Sequence, residues 1–506
     1  MLKNFRLIAA ALFFLLTTLL FLDFTGVIHQ WFGWLAKIQL IPALLATNVI
    51  MITAIVILTL FFGRIYCSVI CPLGVLQDGV SHLAGRIKGK KNRFRFVPAK
   101  SWLRYGILVL FFIAFVAEVS VFVSVLDPYA AYGRVASNFF SPLYRQGNNL
   151  LAFFAEKIDS YSFYSTEVWI KGWITFGVAV ITLFTVGFLA WYNGRTYCNT
   201  ICPVGAFLGF LSRFALLKLT VNREKCTECR RCERNCKASC INVSTMNIDH
   251  SRCVGCFNCT KACQSDAIQY TFPKAADKNQ NTDKNIPVTI KNNLNSLSRR
   301  GIIFLLVTLF FTKTLKAQQK LQGDGGLATI EDKKIPNRKT PIVPPGALGV
   351  KNMKTHCTAC QLCVSACPNN VLRPSEKLAT LMQPEMSFER GYCRLECTEC
   401  SQVCPAGAIK PITRAEKTAI SIGSPVFIKE KCIVNIDKIQ CNVCERHCPT
   451  GAITRVDSEP NNKNNTLKIP VVNKELCIGC GACEHLCPAR PFSAIYIEGN
   501  LRHHSS

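Results

Sequence analysis

Gly63-Arg64-Ile65-Tyr66-Cys67-Ser68-Val69-Ile70-Cys71-Pro72-Leu73-Gly74 and Gly194-Arg195-Thr196-Tyr197-Cys198-Asn199-Thr200-Ile201-Cys202-Pro203-Val204-Gly205 are one motif written twice, with eight identical positions. Each copy closes an apolar run, Ile38–Phe62 or Ile174–Tyr192, and each of these follows another, Ile8–Val27 or Leu103–Val125. Every run is near the ~20 residues a helix needs to cross a hydrocarbon core. Within them the charges are Asp23, Arg104 and Glu118. All six tryptophans, Trp31, Trp34, Trp102, Trp169, Trp173 and Trp191, stand at or just outside the run ends, where amphipathic indoles prefer the headgroup level. The first reading is therefore an α-helical polytopic membrane domain, residues 1–212, with four transmembrane helices and a two-fold internal repeat.

Charge sets its orientation. Arg86, Lys88, Lys90, Lys91, Arg93, Arg95 and Lys100 crowd the loop after the second run, with Asp78 the one acid. The loop before the fourth run balances Arg134, Arg145, Lys157 and Lys171 with Asp127, Glu156, Asp159 and Glu167. The excess of basic residues on inner loops predicts both ends of the four-helix unit in the cytosol. Both motifs then lie at the cytosolic membrane face. If each is helical, its i, i+4 cysteines share one side, and pseudo-twofold packing gathers Cys67, Cys71, Cys198 and Cys202. A membrane redox site is expected there, with a shared cluster and thiol chemistry both open.

The whole chain has 506 residues, 29 of them cysteine. Disulfide-rich scaffolds are small and secreted, which long apolar runs exclude. A net charge of +28 beside 49% hydrophobic residues describes basic flanks of a membrane protein, and no nucleic-acid partner is expected. The cysteines instead follow the C-x2-C-x2-C-x3-C spacing of [4Fe–4S] ligands. Cys226, Cys229, Cys232 and Cys236 form one such run, and Cys253, Cys256, Cys259 and Cys263 a second, 27 residues on. In two-cluster ferredoxins the fourth cysteine serves the other cluster. Cys263 would thus join Cys226, Cys229 and Cys232, and Cys236 would join Cys253, Cys256 and Cys259. Cys240 is left over, four positions beyond Cys236, and either of the two could be the ligand. Farther on come Cys357, Cys360, Cys363, Cys367 and Cys477, Cys480, Cys483, Cys487, each followed by proline. Between them, Cys393, Cys397, Cys400, Cys404 and Cys432, Cys441, Cys444, Cys448 keep the C-x2-C-x3-C-P core but stretch the first spacing. Four-cysteine zinc sites usually pair two C-x-x-C units, so iron–sulfur is the better fit. Six clusters are expected, and a seventh if the membrane quartet holds one.

These runs divide the remainder of the chain. Residues 213–272 read as a cytosolic two-cluster ferredoxin module and 273–339 as a linker. At 298–317 the linker carries Arg299-Arg300 and an apolar stretch, Gly301–Thr312, of signal-like length. Residues 340–500 read as an α+β ferredoxin-type domain with four clusters, placed in the periplasm if that stretch is an export signal, and His503–Ser506 as a disordered tail. No C-x-x-C-H, no histidine deep in a span, no dinucleotide fingerprint and no P-loop occurs, so no haem of its own and no nucleotide site are expected.

Taken together, residues 1–272 resemble the NapH-type membrane subunit of periplasmic nitrate reduction and the membrane core of NosR-type proteins. Residues 296–498, with the twin arginine and four cysteine runs, resemble the partner subunit NapG, so the chain looks like a natural fusion of the pair. It departs from the pattern at Lys237 and Gln264, where proline usually follows, and at Gly301-Ile302-Ile303 after the arginines. The resemblance implies a multi-pass protein of the bacterial cytoplasmic (inner) membrane acting as a quinol dehydrogenase. It would take electrons from the menaquinol or ubiquinol pool and deliver them to a periplasmic acceptor protein. The alternative is an iron–sulfur assembly, maturation or regulatory factor for a periplasmic metalloenzyme.

Overall fold

The computed structural model describes residues 2–23, 25–87, 94–160, 162–272, 331–458 and 467–505. The described residues of 1–272 and 334–505 pack as one body. The twin-arginine segment 298–317 lies outside the described residues, as do Lys88, Lys90, Lys91 and Arg93.

Two apolar runs become unbroken helices of 21 residues, Leu2–Leu22 and Trp173–Asn193, long and apolar enough to cross a membrane. At 1.5 Å per residue each measures about 30 Å, the thickness of a hydrocarbon core. The other two runs, expected as continuous spans, are interrupted. One divides into Leu40–Leu45 and Val49–Phe62, the other into Ser101–Val116 and Ser120–Leu126. The breaks fall at Thr47 and Glu118, both with left-handed φ. At the first, Asn48 Oδ1 accepts the Met51 N–H at 3.2 Å, offering the backbone a cap in place of a continued helix. At the second, the one acid of its run supplies the turn.

All four runs share a direction rule. The N-terminal part of Leu2–Leu22 meets the 213–272 module through Asp78, which pairs with both Arg6 at 3.0 Å and Lys237 at 3.4 Å. Its far end packs on Leu362–Ala366. Ala46 lies beside Gly407, and Phe62 accepts a hydrogen bond from Tyr270 at 2.9 Å. Arg104 reaches Ser251 at 3.1 Å, whereas Ser120–Leu126 packs on Leu378–Thr380. Gly172 touches Pro374, and Arg195 N–H donates to the Lys237 carbonyl at 2.8 Å. Each run therefore has one end at the 213–272 module and the other at the C-terminal domain. Between the third and fourth runs, Pro128–Val135 is a helix with all eight residues buried, started by proline and capped by Asp127. It is a buried helix rather than an exposed loop.

The module at 213–272 is built on two small antiparallel ladders, Lys218–Val221 with Ile268–Thr271 and Ile241–Asn242 with Asn247–Ile248. The C-terminal domain carries three more two-stranded ladders among short helices. Its packing starts at Lys334 rather than 340, because Lys334 N–H bonds the Pro491 carbonyl and Arg338 Nε the Ile497 carbonyl, both at 2.8 Å. The expected disordered tail is instead the end of the strand Ile495–Ser505. After a bulge, His504 and Ser505 pair with Ser421 and Ile420.

Candidate metal centres

The loop chemistry begins with the backbone. In each regular run, the residues two and four places after the first cysteine take left-handed φ. They are Glu228 and Arg230, Gly255 and Phe257, Ala359 and Gln361, Gly479 and Gly481. Non-glycine residues pay about 1–2 kcal/mol for this conformation. What it achieves is to turn successive N–H groups inward as an anion-binding nest; the Ala359 N–H, for instance, donates to Cys357 Sγ at 3.4 Å. The stretched runs lack this pair. Beside one of them, the buried Lys417 ammonium donates to the Arg394 and Cys397 carbonyls.

The thiols converge across runs. Cys226, Cys229, Cys232 and Cys263 line one space with Ile241, Val243 and Ile268. Cys236, Cys253, Cys256 and Cys259 line another, with Cys240 as a fifth thiol. In the C-terminal domain the fourth cysteines also change places. Cys404 joins Cys357, Cys360 and Cys363, and Cys367 joins Cys393, Cys397 and Cys400. The last two runs repeat the exchange. Cys487 sits with Cys432, Cys441 and Cys444, and Cys448 with Cys477 and Cys480, and Cys483 neighbours the latter two. Among the described residues no three His, Cys, Asp or Glu side chains close on a single ion. The thiols instead gather in sets of four or five that line a shared space.

Burial pushes the Cys360 thiol up to about 12 and Cys256 to about 11. Such thiols stay protonated alone and give up the proton on binding iron. Cys236 goes the other way. The neighbouring Cys240 hydrogen bond draws it down to about 7.

The twin membrane motifs form a different site. In both, a glycine of positive φ, Gly63 or Gly194, ends the long helix and a five-residue helix follows, Ile65–Val69 or Thr196–Thr200. All four thiols are buried, and they neighbour one another across the repeat. Each motif's arginine crosses to the other copy. Arg64 donates to Cys198 O at 3.3 Å and Asn199 Oδ1 at 2.8 Å, and lies 3.9 Å from Cys67 Sγ. Arg195 donates to Cys67 O at 2.6 Å and lies 3.9 Å from Cys198 Sγ. Gln77 Nε2 reaches Cys198 Sγ at 3.2 Å. Gly74 and Gly205 are required because a Cβ there would overlap the Cys67 or Cys198 carbonyl oxygen. The crossed arginines were not expected from sequence, though their identical placement in both copies marked them. On the far side of the quartet, Gly133 of the buried helix Pro128–Val135 abuts the Cys360 carbonyl, and Arg134 interacts with both Tyr197 and Cys360.

A family model described as "4Fe-4S binding domain" matches residues 44–91 and again 174–222, once on each membrane motif. A second, "4Fe-4S dicluster domain", matches 356–408 and 439–490. Ferredoxin-type protein NapF of Escherichia coli (strain K12) is 30% identical over 162 residues, 31% of this chain and 87% of NapF. Methylamine utilization ferredoxin-type protein MauM of Methylobacillus flagellatus is 30% identical over 152 residues, 29% of this chain and 64% of MauM. Putative electron transport protein YccM of Escherichia coli (strain K12) is 23% identical over 202 residues, 39% of this chain and 47% of YccM. The chain thus spans less than two thirds of MauM and about half of YccM. No solved structure matches. With 4Fe-4S domains in both halves and NapF matched over most of its length, the chain belongs to the NapF ferredoxin-type family of iron–sulfur electron-transfer proteins.

Proposed function

We propose that this protein conducts electrons across the bacterial cytoplasmic membrane, from a quinol to an acceptor protein on the periplasmic side. The observation that carries the reading is the direction rule. Four apolar runs each join the two-cluster module at one end to the four-run domain at the other, with four buried thiols between. Two of those runs have the length and composition of spans. A chain whose cysteine groups lie at both ends of such helices fits a cross-membrane conductor better than a soluble carrier.

The residues fit [4Fe–4S] groups at six converged sets. Cys226, Cys229, Cys232 and Cys263, and Cys236 with Cys253, Cys256 and Cys259, would hold two. The exchanged sets of the C-terminal domain would hold four. Cys67, Cys71, Cys198 and Cys202 would hold a seventh. When bound, such clusters supply one-electron transfer at potentials set by burial and by hydrogen bonds to sulfur. The argument for the seventh is charge. Arg64 is fully buried and donates to the oxygens of Cys198, Asn199 and Ser251, with no carboxylate in salt-bridge reach among the described residues. A buried cation without a counter-charge costs several kcal/mol. Four thiolates on a cluster provide that counter-charge.

The chain's own residues do the rest. Arg64 and Arg195 tie the two motif copies together, Gln77 donates toward Cys198, and the buried helix Pro128–Val135 fills the gap between the quartet and Cys360. Apolar walls from the long helices keep water out. Purified anaerobic protein given a menaquinol analogue should lose its visible iron–sulfur absorption. Absorption that stays unchanged, while dithionite still bleaches it, rejects quinol as the donor. For sidedness, protease added to intact spheroplasts should remove a tag after Ser506. A tag that survives while a periplasmic control is digested places the last domain inside.

A further inference from the structure

The cluster-lining position four residues beyond a run's fourth cysteine is apolar in three of the spaces described above. The chain turns there through a left-handed residue three places on, Asp266, Asn370 or Gly407, and the next side chain faces the space. That side chain is Ala267, Val371 or Ala408. In the run ending at Cys236 the same turn is made at Ser239, with φ 50°. The lining residue it delivers is Cys240. Its carbonyl is fixed by the Asp249 N–H at 2.9 Å, and the turn itself is closed by Ser239 N–H to the Cys236 carbonyl at 3.0 Å. The result is five thiols, Cys236, Cys240, Cys253, Cys256 and Cys259, around one space. A cubane has four corners. Cys236 and Cys240 are both buried, with sulfurs 3.5 Å apart.

We propose that Cys236 and Cys240 are interchangeable ligands to one iron of this cluster. The exchange is a substitution without change of oxidation state. With a cluster held here, one thiolate would leave the iron as the other binds, and the Cys240 thiol proton would pass to the Cys236 sulfur across their 3.5 Å contact. No added reagent is required. The arrangement means that oxidation of one thiolate leaves the other to hold the corner. A position that elsewhere needs a small apolar side chain gains a second function here.

The test uses the full-length protein, purified anaerobically in detergent, with iron per chain and EPR of the reduced clusters as readouts. C236A and C240A are each expected to keep the wild-type iron content. The double variant C236A/C240A is expected to lose about four irons. C236A alone losing about four irons while C240A loses none, or the reverse, overturns the proposal, since one residue is then the sole ligand. Full iron in the double variant overturns it as well. Should C236A fail to accumulate, C236S decides by EPR. Wild-type g-values mean Cys240 has taken the corner, and altered g-values mean the serine oxygen has, which is contrary to the proposal. The inference rests on the reading that the module holds this cluster, which C253A/C256A checks separately. If that control loses no iron, the cluster assignment itself is wrong.

Discussion

The membrane quartet and the regular ferredoxin loops hold cysteines of the same number by different means. In the loops, paired left-handed residues free backbone N–H groups to face sulfur, and the lining is apolar. In the membrane motifs the first cysteine of each pair lies inside a short helix. No left-handed pair follows these cysteines; the second thiol of a pair caps the next helix instead, as where the Gly205 N–H donates to Cys202 Sγ at 3.4 Å. Positive charge comes from side chains instead, Arg64 and Arg195 reaching across the repeat. The stretched run at Cys393 is intermediate, with Lys417 in place of the missing turn. Where no left-handed pair turns the backbone toward the first thiol, a long cation stands beside it, Arg64 by Cys67 and Arg195 by Cys198.

The hardest test of that contrast removes the membrane thiols. Combined C67S and C198S should abolish quinol-driven reduction and remove about four irons, with the ferredoxin-type EPR signals intact. Retained reduction by quinol would take the quartet off the electron path. Next comes the steric half of the comparison. G205A should cost about 4 kcal/mol or prevent accumulation of folded protein, because its Cβ meets the backbone of Cys198 and neither can retreat. G255A in a ferredoxin loop carries a φ of +60° but only a side-chain neighbour, Ile65 Cγ1 at 3.2 Å, and should cost about 1–2 kcal/mol. Equal losses for the two glycines, read from thermal midpoints of the solubilised proteins, would erase the distinction.

The charge half predicts a slightly smaller effect. R195A strands part of the Asp78 charge, which Arg195 holds at 2.8 Å, although Arg6 and Lys237 remain. A loss of about 3 kcal/mol is expected, with R195K recovering little because one ammonium cannot reach both Asp78 and the Cys67 carbonyl. Full recovery by lysine would mean that charge alone is needed. The smallest effect is on a loop. E228G replaces a strained left-handed residue by one that adopts the conformation freely, and should stabilise the module by about 0.5 kcal/mol. Destabilisation in denaturant titration of cluster absorbance would show that the Glu228 side chain, not its backbone, matters.

Much of this was legible in the residues because it is local. Cysteine spacing specifies a three-thiol loop irrespective of what surrounds it, and apolar run length specifies where helices lie. The exchange of Cys236 and Cys263 follows from spacing as well. The breaks at Thr47 and Glu118 were less visible. Each is a one-residue excursion to left-handed φ inside an otherwise apolar run, decided by what packs at that level. The strand through His503 and His504 was hidden for a similar reason, since the partner of His504 is Ser421, more than eighty residues earlier in the chain.

By itself the sequence determined the two kinds of cysteine motif, the duplication of one of them, and the places of four apolar runs, which it read as four spans where the structure has two unbroken long helices. These depend on periodicity and composition, which act within a few residues of the chain. Tertiary structure alone decided that Arg64 and Arg195 cross between copies, that Pro128–Val135 is buried, and that Cys240 enters a cluster space. It also decided that all four runs end on the same two regions. Each of these is a contact between segments far apart in the chain, where loop closure, shape and buried charge choose among partners that no local pattern distinguishes.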